Sequence, residues 1–247
     1  MSKLIHAEIH RVLKSKLLYI LLFISAFIGA ASVFTVSLEA DENSAVFLVT
    51  SGNLVMFMTM FQALFAGGIS ILLIASEFSS GVIRNKLIMG HKRRDILLSW
   101  TVIYTIVTIL DFAVIIAAFF ITLAASGADF SGVEAECVIG NILLLLLFMV
   151  KFQMFSLLMV CIYSDQKTAV IVYLLSNMTM LPIILLSYSG NSGLTQFFSR
   201  FFLGGFVNNF SLNEKTDKPW LTAFCLILLS LLYLYLANAY FKKKDLK

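Results

Sequence analysis

Two ionisable residues stand in stretches that are otherwise apolar: Asp111 within TIVTILDFAVIIA and Lys151 within LLLFMVKFQMF. A charge inside lipid costs at least a few kcal/mol and by default marks a pathway, a relay or a packing pair. Each lies about 13 residues, or about 20 Å, from the outer end of its segment at 1.5 Å per residue. Consecutive antiparallel helices would therefore hold Asp111 and Lys151 at one depth. Two roles stay open for them, a structural ion pair and a gate or lining of a pathway. Gln62, Gln153 and Asn177 are further mid-segment polar groups able to bond between helices. Other chemistry finds no support. Ser192, in Gly190-Asn191-Ser192-Gly193, would need a histidine base at its own depth to act as a nucleophile. The three histidines, His6, His10 and His91, all fall at the other side of the membrane in the reading below. His6 and His10 share a helix face, but no carboxylate or thiolate completes a metal set with them. Cys137, Cys161 and Cys225 show no metal spacing and read as small apolar packing residues. No Gly-Lys-Ser or Gly-Lys-Thr occurs, so a nucleotide-binding loop of the P-loop kind is missing. The chain is not expected to be an enzyme or to hold a metal or cofactor of its own.

The elements that must position these residues are membrane helices. Of 247 residues, 60% are hydrophobic and only 13% charged, where a soluble domain carries about a quarter charged. Two prolines and 23 phenylalanines suit helices in lipid better than the alternating strands of a barrel. The expected fold is an all-α integral membrane protein. About 20 apolar residues cross a bilayer as a helix, which gives six spans, about 17–37, 53–75, 97–124, 138–163, 169–187 and 220–240. Residues 1–16 should form an amphipathic helix lying in the membrane interface, with Ile5, Ile9, Val12 and Leu13 on its apolar stripe. Gly29, Ala30 and Ala31 could mimic a signal-peptide cleavage site, but the run Leu17 to Leu38 is long for that role and reads as a retained span. Between spans five and six, GLTQFFSRFFLGGFVNNF is too broken to span and too apolar to float in water. It reads as a re-entrant or interfacial helical hairpin.

Charge sets the orientation. The side holding both termini collects fourteen Lys and Arg residues, against Arg200, Lys215 and Lys218 on the other. By the positive-inside rule, both termini are cytoplasmic in a multi-pass protein of the cell membrane. The net charge of +4 is spent on orientation, and nucleic acid is not an expected partner.

The longest basic island, Ala75 to Trp100, reads ASEFSSGVIRNKLIMGHKRRDILLSW. Glu77 sits where span two should leave the lipid. Ser79, Ser80 and Gly81 offer N-cap chemistry for a short helix over about Val82 to Met89. Val82, Ile83 and Leu87 would lie on one side, with Arg84, Asn85 and Lys86 around the other. Gly90 can stop it in the left-handed conformation. The pattern Glu77…Gly81…Arg84, an apolar turn, then a basic residue before the next span resembles permease subunits of ABC-2 type transporters. The match extends over the whole chain in layout, while its residue-level motif is short.

That resemblance implies a function. In the family, the loop between spans two and three docks as a coupling helix on a separate ATP-hydrolysing subunit. Glu77, Gly81, Val82, Ile83, Arg84 and Leu87 would form the coupling element, with Glu77 and Arg84 tying it to its partner and its neighbouring helices. ATP would be bound by the partner, and a second copy or a sister permease would complete the pathway. Asp111, Lys151, Gln62 and Gln153 would be the intramembrane polar or gating candidates. The exported substrate would be hydrophobic or amphiphilic, with the family's antimicrobial peptides, drugs and lipids all open. Two rivals remain on the residues alone. One is a secondary carrier using Asp111 as an ion site, for which no internal repeat is evident. The other is a membrane-embedded immunity or interaction protein that transports nothing.

Overall fold

The computed structural model describes residues 2–37, 52–127, 134–163, 165–178 and 219–244. Among them are eight helices and no strand: α1 (Ser2–Leu13), α2 (Lys16–Ser37), α3 (Gly52–Ser79), α4 (Val82–Ile88), α5 (Arg93–Ala125), α6 (Ala135–Ile162), α7 (Gln166–Met178) and α8 (Pro219–Lys243). Four of them, α2, α5, α6 and α8, are long and apolar enough to cross a bilayer. A fifth span results if α3 from Leu64 and α4, bent by 61° at their junction, count as one broken span. The all-helical expectation holds. Of the expected span 169–187, residues through Met178 belong to α7; the remainder, and the expected hairpin up to residue 218, lie outside the described residues.

The helix ends follow local chemistry. Ser15 Oγ accepts from the Leu17 amide at 3.2 Å and starts α2. Asp165 Oδ2 accepts from the Thr168 amide at 3.0 Å and its hydroxyl at 2.8 Å, starting α7 only a few residues after α6 ends. Those bonds hold the Asp165 carboxyl below its ordinary value.

Packing shows the direction of each helix. Ser25 meets Asp111, and one turn further along both helices Gly29 meets the backbone of Ile115, so α2 and α5 run parallel. Between them α3 runs back: at 28 residues it is about 42 Å long. Its C-terminal part joins a core with Leu18 and Leu21 of α2, Ile96 and Trp100 of α5, Leu157 and Cys161 of α6, Tyr173 of α7 and Phe241 of α8. A second core at the opposite end joins Val33, Phe119, Leu123, Val138, Leu145 and Leu226. Helix α6 is the centre, touching α3, α5, α7 and α8. By contrast α8 rests mainly on α6 and leaves Trp220, Phe224, Leu231 and Tyr235 exposed, as a lipid-facing helix does.

The first core lies at the basic end of the bundle, and two cations close helix ends there. Arg93 Nη1 donates to the carbonyls of Phe241, Lys242 and Lys244 at 3.0, 2.9 and 2.6 Å. Lys244 Nζ donates to the carbonyls of Cys161 and Ile162 at 2.8 and 3.2 Å. Both answer unpaired carbonyls and the negative dipole end of a helix. Burial pulls the Lys244 ammonium below the ordinary lysine value.

Candidate functional site

The basic island folds as a short helix on a sharp corner. Gly81 adopts φ 71° and Gly90 φ 87°, a left-handed conformation that glycine takes without a Cβ penalty. Helix α4, the seven residues Val82–Ile88 capped by Met89, lies between these corners. Its end is of the Schellman kind, with the His91 amide on the Lys86 carbonyl at 3.1 Å. One expectation fails here. The hydroxyls of Ser79 and Ser80 do not cap α4; both donate back to the Ser76 carbonyl, at 3.0 and 2.7 Å. The Ser76 carbonyl near the end of α3, which also accepts the Ser80 amide at 3.0 Å, claims them first.

Under α4 lies a buried ion network. Lys86 Nζ contacts both Glu8 Oε1 of α1 and Glu77 Oε2 of α3. Arg11 Nη2 contacts Glu77 Oε1 and lies 2.8 Å from Glu8 Oε2. Trp100 Nε1 donates to Glu77 Oε1 at 3.1 Å, and the Lys86 ammonium sits 5.8 Å from the Trp100 ring centroid. Arg11 also reaches the Tyr104 hydroxyl at 3.5 Å. Glu77, Glu8 and Lys86 are 1%, 3% and 6% exposed, so they are nearly cut off from water. Two carboxylates and two cations balance, and each carboxylate meets both cations. Such a closed set is what makes buried charge tolerable.

Lys86 is therefore corrected. Expected on the polar side of α4, it is buried beside Ile83, three residues back and on the same helix face. Helix α1 is used differently as well. Its buried line is Leu4, Glu8 and Val12, packed on protein, while Leu13 is exposed. Glu8, Arg11, Trp100 and Tyr104 were absent from the sequence candidates. For Glu8 a signal exists: i, i+4, i+8 spacing sets it on one stripe with Leu4 and Val12. Of the expected coupling residues, Glu77 and Ile83 are buried, Gly81, Val82 and Leu87 are half-buried, and Arg84 is exposed. The outer face of α4 carries Arg84, Asn85 and Ile88, followed by Met89, with Ile88 75% and Met89 69% exposed.

The intramembrane candidates fall into separate surroundings. Asp111 accepts from the Ser25 hydroxyl of α2. The Lys151 ammonium sits over the rings of Phe148 and Phe152, 4.5 and 4.1 Å from their centroids. Among the described residues, no ion pair joins Asp111 to Lys151. Gln153 meets Ser70 of α3 and Thr108 of α5, as an interhelical polar group should. Asn177 bonds locally, to the Tyr173 carbonyl at 2.7 Å. Gln62 belongs to α3, with its side chain outside the described residues. Among the described residues no cluster of His, Cys, Asp and Glu could hold a metal ion. No family model and no curated protein matches the chain.

Proposed function

We propose that the chain is the membrane subunit of an exporter of the ABC-2 permease type, driven by a separate ATPase subunit that docks on α4. The observation that carries this reading is the two-sided build of α4. One side is locked to α1 and α3 through Lys86, and the other presents Arg84, Ile88 and Met89 outward. A short helix held in this way passes a push on to α3 and, through Trp100, to α5. A second copy or sister permease would share the transport pathway, and the substrate would be hydrophobic or amphiphilic. Six spans are part of the proposal, and they are supported by α6 ending at the basic end of the bundle while α8 starts at the opposite end.

The docking face is tested with Arg84→Glu and Ile88→Asp. Both side chains are exposed, so insertion and folding should be unchanged. Each variant should lose most co-purification with a candidate ATPase partner, and most substrate-stimulated ATP turnover in proteoliposomes. Undiminished capture and stimulation in both would remove α4 as the coupling element. Orientation is tested with single cysteines in a background lacking Cys137, Cys161 and Cys225. Cysteines at positions 43, 131 and 213 should react with an impermeant thiol reagent on intact cells, and those at Lys92 and Lys243 only after permeabilisation. Reversal at any one position would defeat the six-span arrangement.

A further inference from the structure

Midway along the bundle, Asp111, Thr108 and Phe112 of α5, Gly67 of α3 and Phe152 and Gln153 of α6 line a cavity of about 10 Å³. That is room for about one water-sized particle. Gln153 is 3% exposed. Its Oε1 lies 3.0 Å from Ser70 Oγ and 3.4 Å from Thr108 Oγ1, and its Nε2 is buried with no partner among the described residues. The protons of these hydroxyls decide how the amide is turned. Each hydroxyl has one proton. Ser70 Oγ also lies 2.8 Å from the Ala66 carbonyl and Thr108 Oγ1 2.8 Å from the Tyr104 carbonyl, and a hydroxyl that gives its proton there keeps only lone pairs for Gln153. Such lone pairs call for a donor. The two ends of a side-chain amide have the same shape and exchange by a half-turn. Turned so, Nε2 donates to Ser70 and Thr108, and the orphaned atom becomes the Gln153 carbonyl oxygen. A buried carbonyl and the Asp111 carboxylate then line one small cavity.

We propose that this cavity binds a single particle that presents protons or positive charge to the Asp111 carboxylate and the Gln153 carbonyl: a water molecule or a monovalent cation of the size of Na⁺. The site links α3, α5 and α6, with α2 attached through Ser25, and it stands whether or not the chain works with an ATPase. An apolar guest is excluded by the two oxygens, and anything larger than one water by the volume.

Two measurements on the wild-type protein test this without any variant. Thermal unfolding is followed in detergent at constant ionic strength, in chloride salts of Na⁺, Li⁺, K⁺ and choline. A cation occupant raises the midpoint selectively with Na⁺ or Li⁺, by about 5–10 °C at a hundredfold excess over Kd. A water occupant gives no ion-specific shift. It gives one density peak at about 2.7–3.0 Å from both oxygens in a map that resolves ordered water. Gln153→Leu, which removes the carbonyl, should abolish whichever signal the wild type shows. An empty cavity in such a map, together with midpoints that do not depend on the cation, overturns the proposal. So does a cation-specific shift that survives intact in Gln153→Leu.

Discussion

Lys86→Met is expected to cost about 3–5 kcal/mol, because it leaves Glu8 and Glu77 buried with Arg11 as their one remaining cation. Methionine fills much the same volume, so packing alone predicts a far smaller loss. The thermal midpoint of the detergent-purified protein is the measurement. Glu8→Gln alone leaves two cations facing one carboxylate and should also destabilise. The double variant removes one charge of each sign and keeps Arg11 against Glu77, so it should recover much of the loss. The interaction term of this double-mutant cycle is the decisive quantity. Single losses that simply add would mean the four groups do not act as a set. Should α4 be the coupling element, Lys86→Met should also weaken the link between ATP turnover and transport, because α4 would then be released from α1.

What the sequence made legible was whatever depends on local spacing. Gly81 and Gly90 bracket α4 because both corners need a positive φ, and the apolar runs gave α2, α5, α6 and α8 to within a few residues. The ion network was not legible, for a physical reason. Periodicity arguments take charged residues as solvent-facing, and by that rule Lys86 resembles Arg84. What reverses Lys86 is a pair of carboxylates from elsewhere in the chain, Glu8 seventy-eight residues away and Glu77 nine. Each charge is tolerable in its buried place only because the others are there. Asp111 and Lys151 show the limit of depth as a guide. Equal depth and opposite charge leave a pair and two separate roles both open, because depth along a helix does not fix the direction each side chain takes around it. Asp111 turns to Ser25 of α2, and Lys151 lies over two rings of its own helix.

Gly29→Ala should be the second most damaging of these changes, although one methyl group is all it adds. A Cβ at Gly29 would lie 2.5 Å from the Ile115 carbonyl oxygen and 3.1 Å from the Ala118 Cβ. The nearest obstacle is backbone, so no rotamer change relieves it, and α2 must move away from α5. Overpacking of this kind costs about 1–3 kcal/mol, against up to about 1 kcal/mol gained by replacing glycine in a helix. The displacement acts beyond the contact itself. Ser25 lies one turn before Gly29 on α2, and Asp111 one turn before Ile115 on α5, so parting the helices draws the Ser25 hydroxyl off the Asp111 carboxylate. Gly68→Ala is the matched control, since a Cβ there meets nothing within 4 Å; it should be neutral or slightly stabilising. Thermal midpoints of the two variants should therefore move in opposite directions or differ by several degrees. Equal midpoints would mean that α2 and α5 are not in backbone contact at Gly29, and the parallel register assigned to them would fall with it.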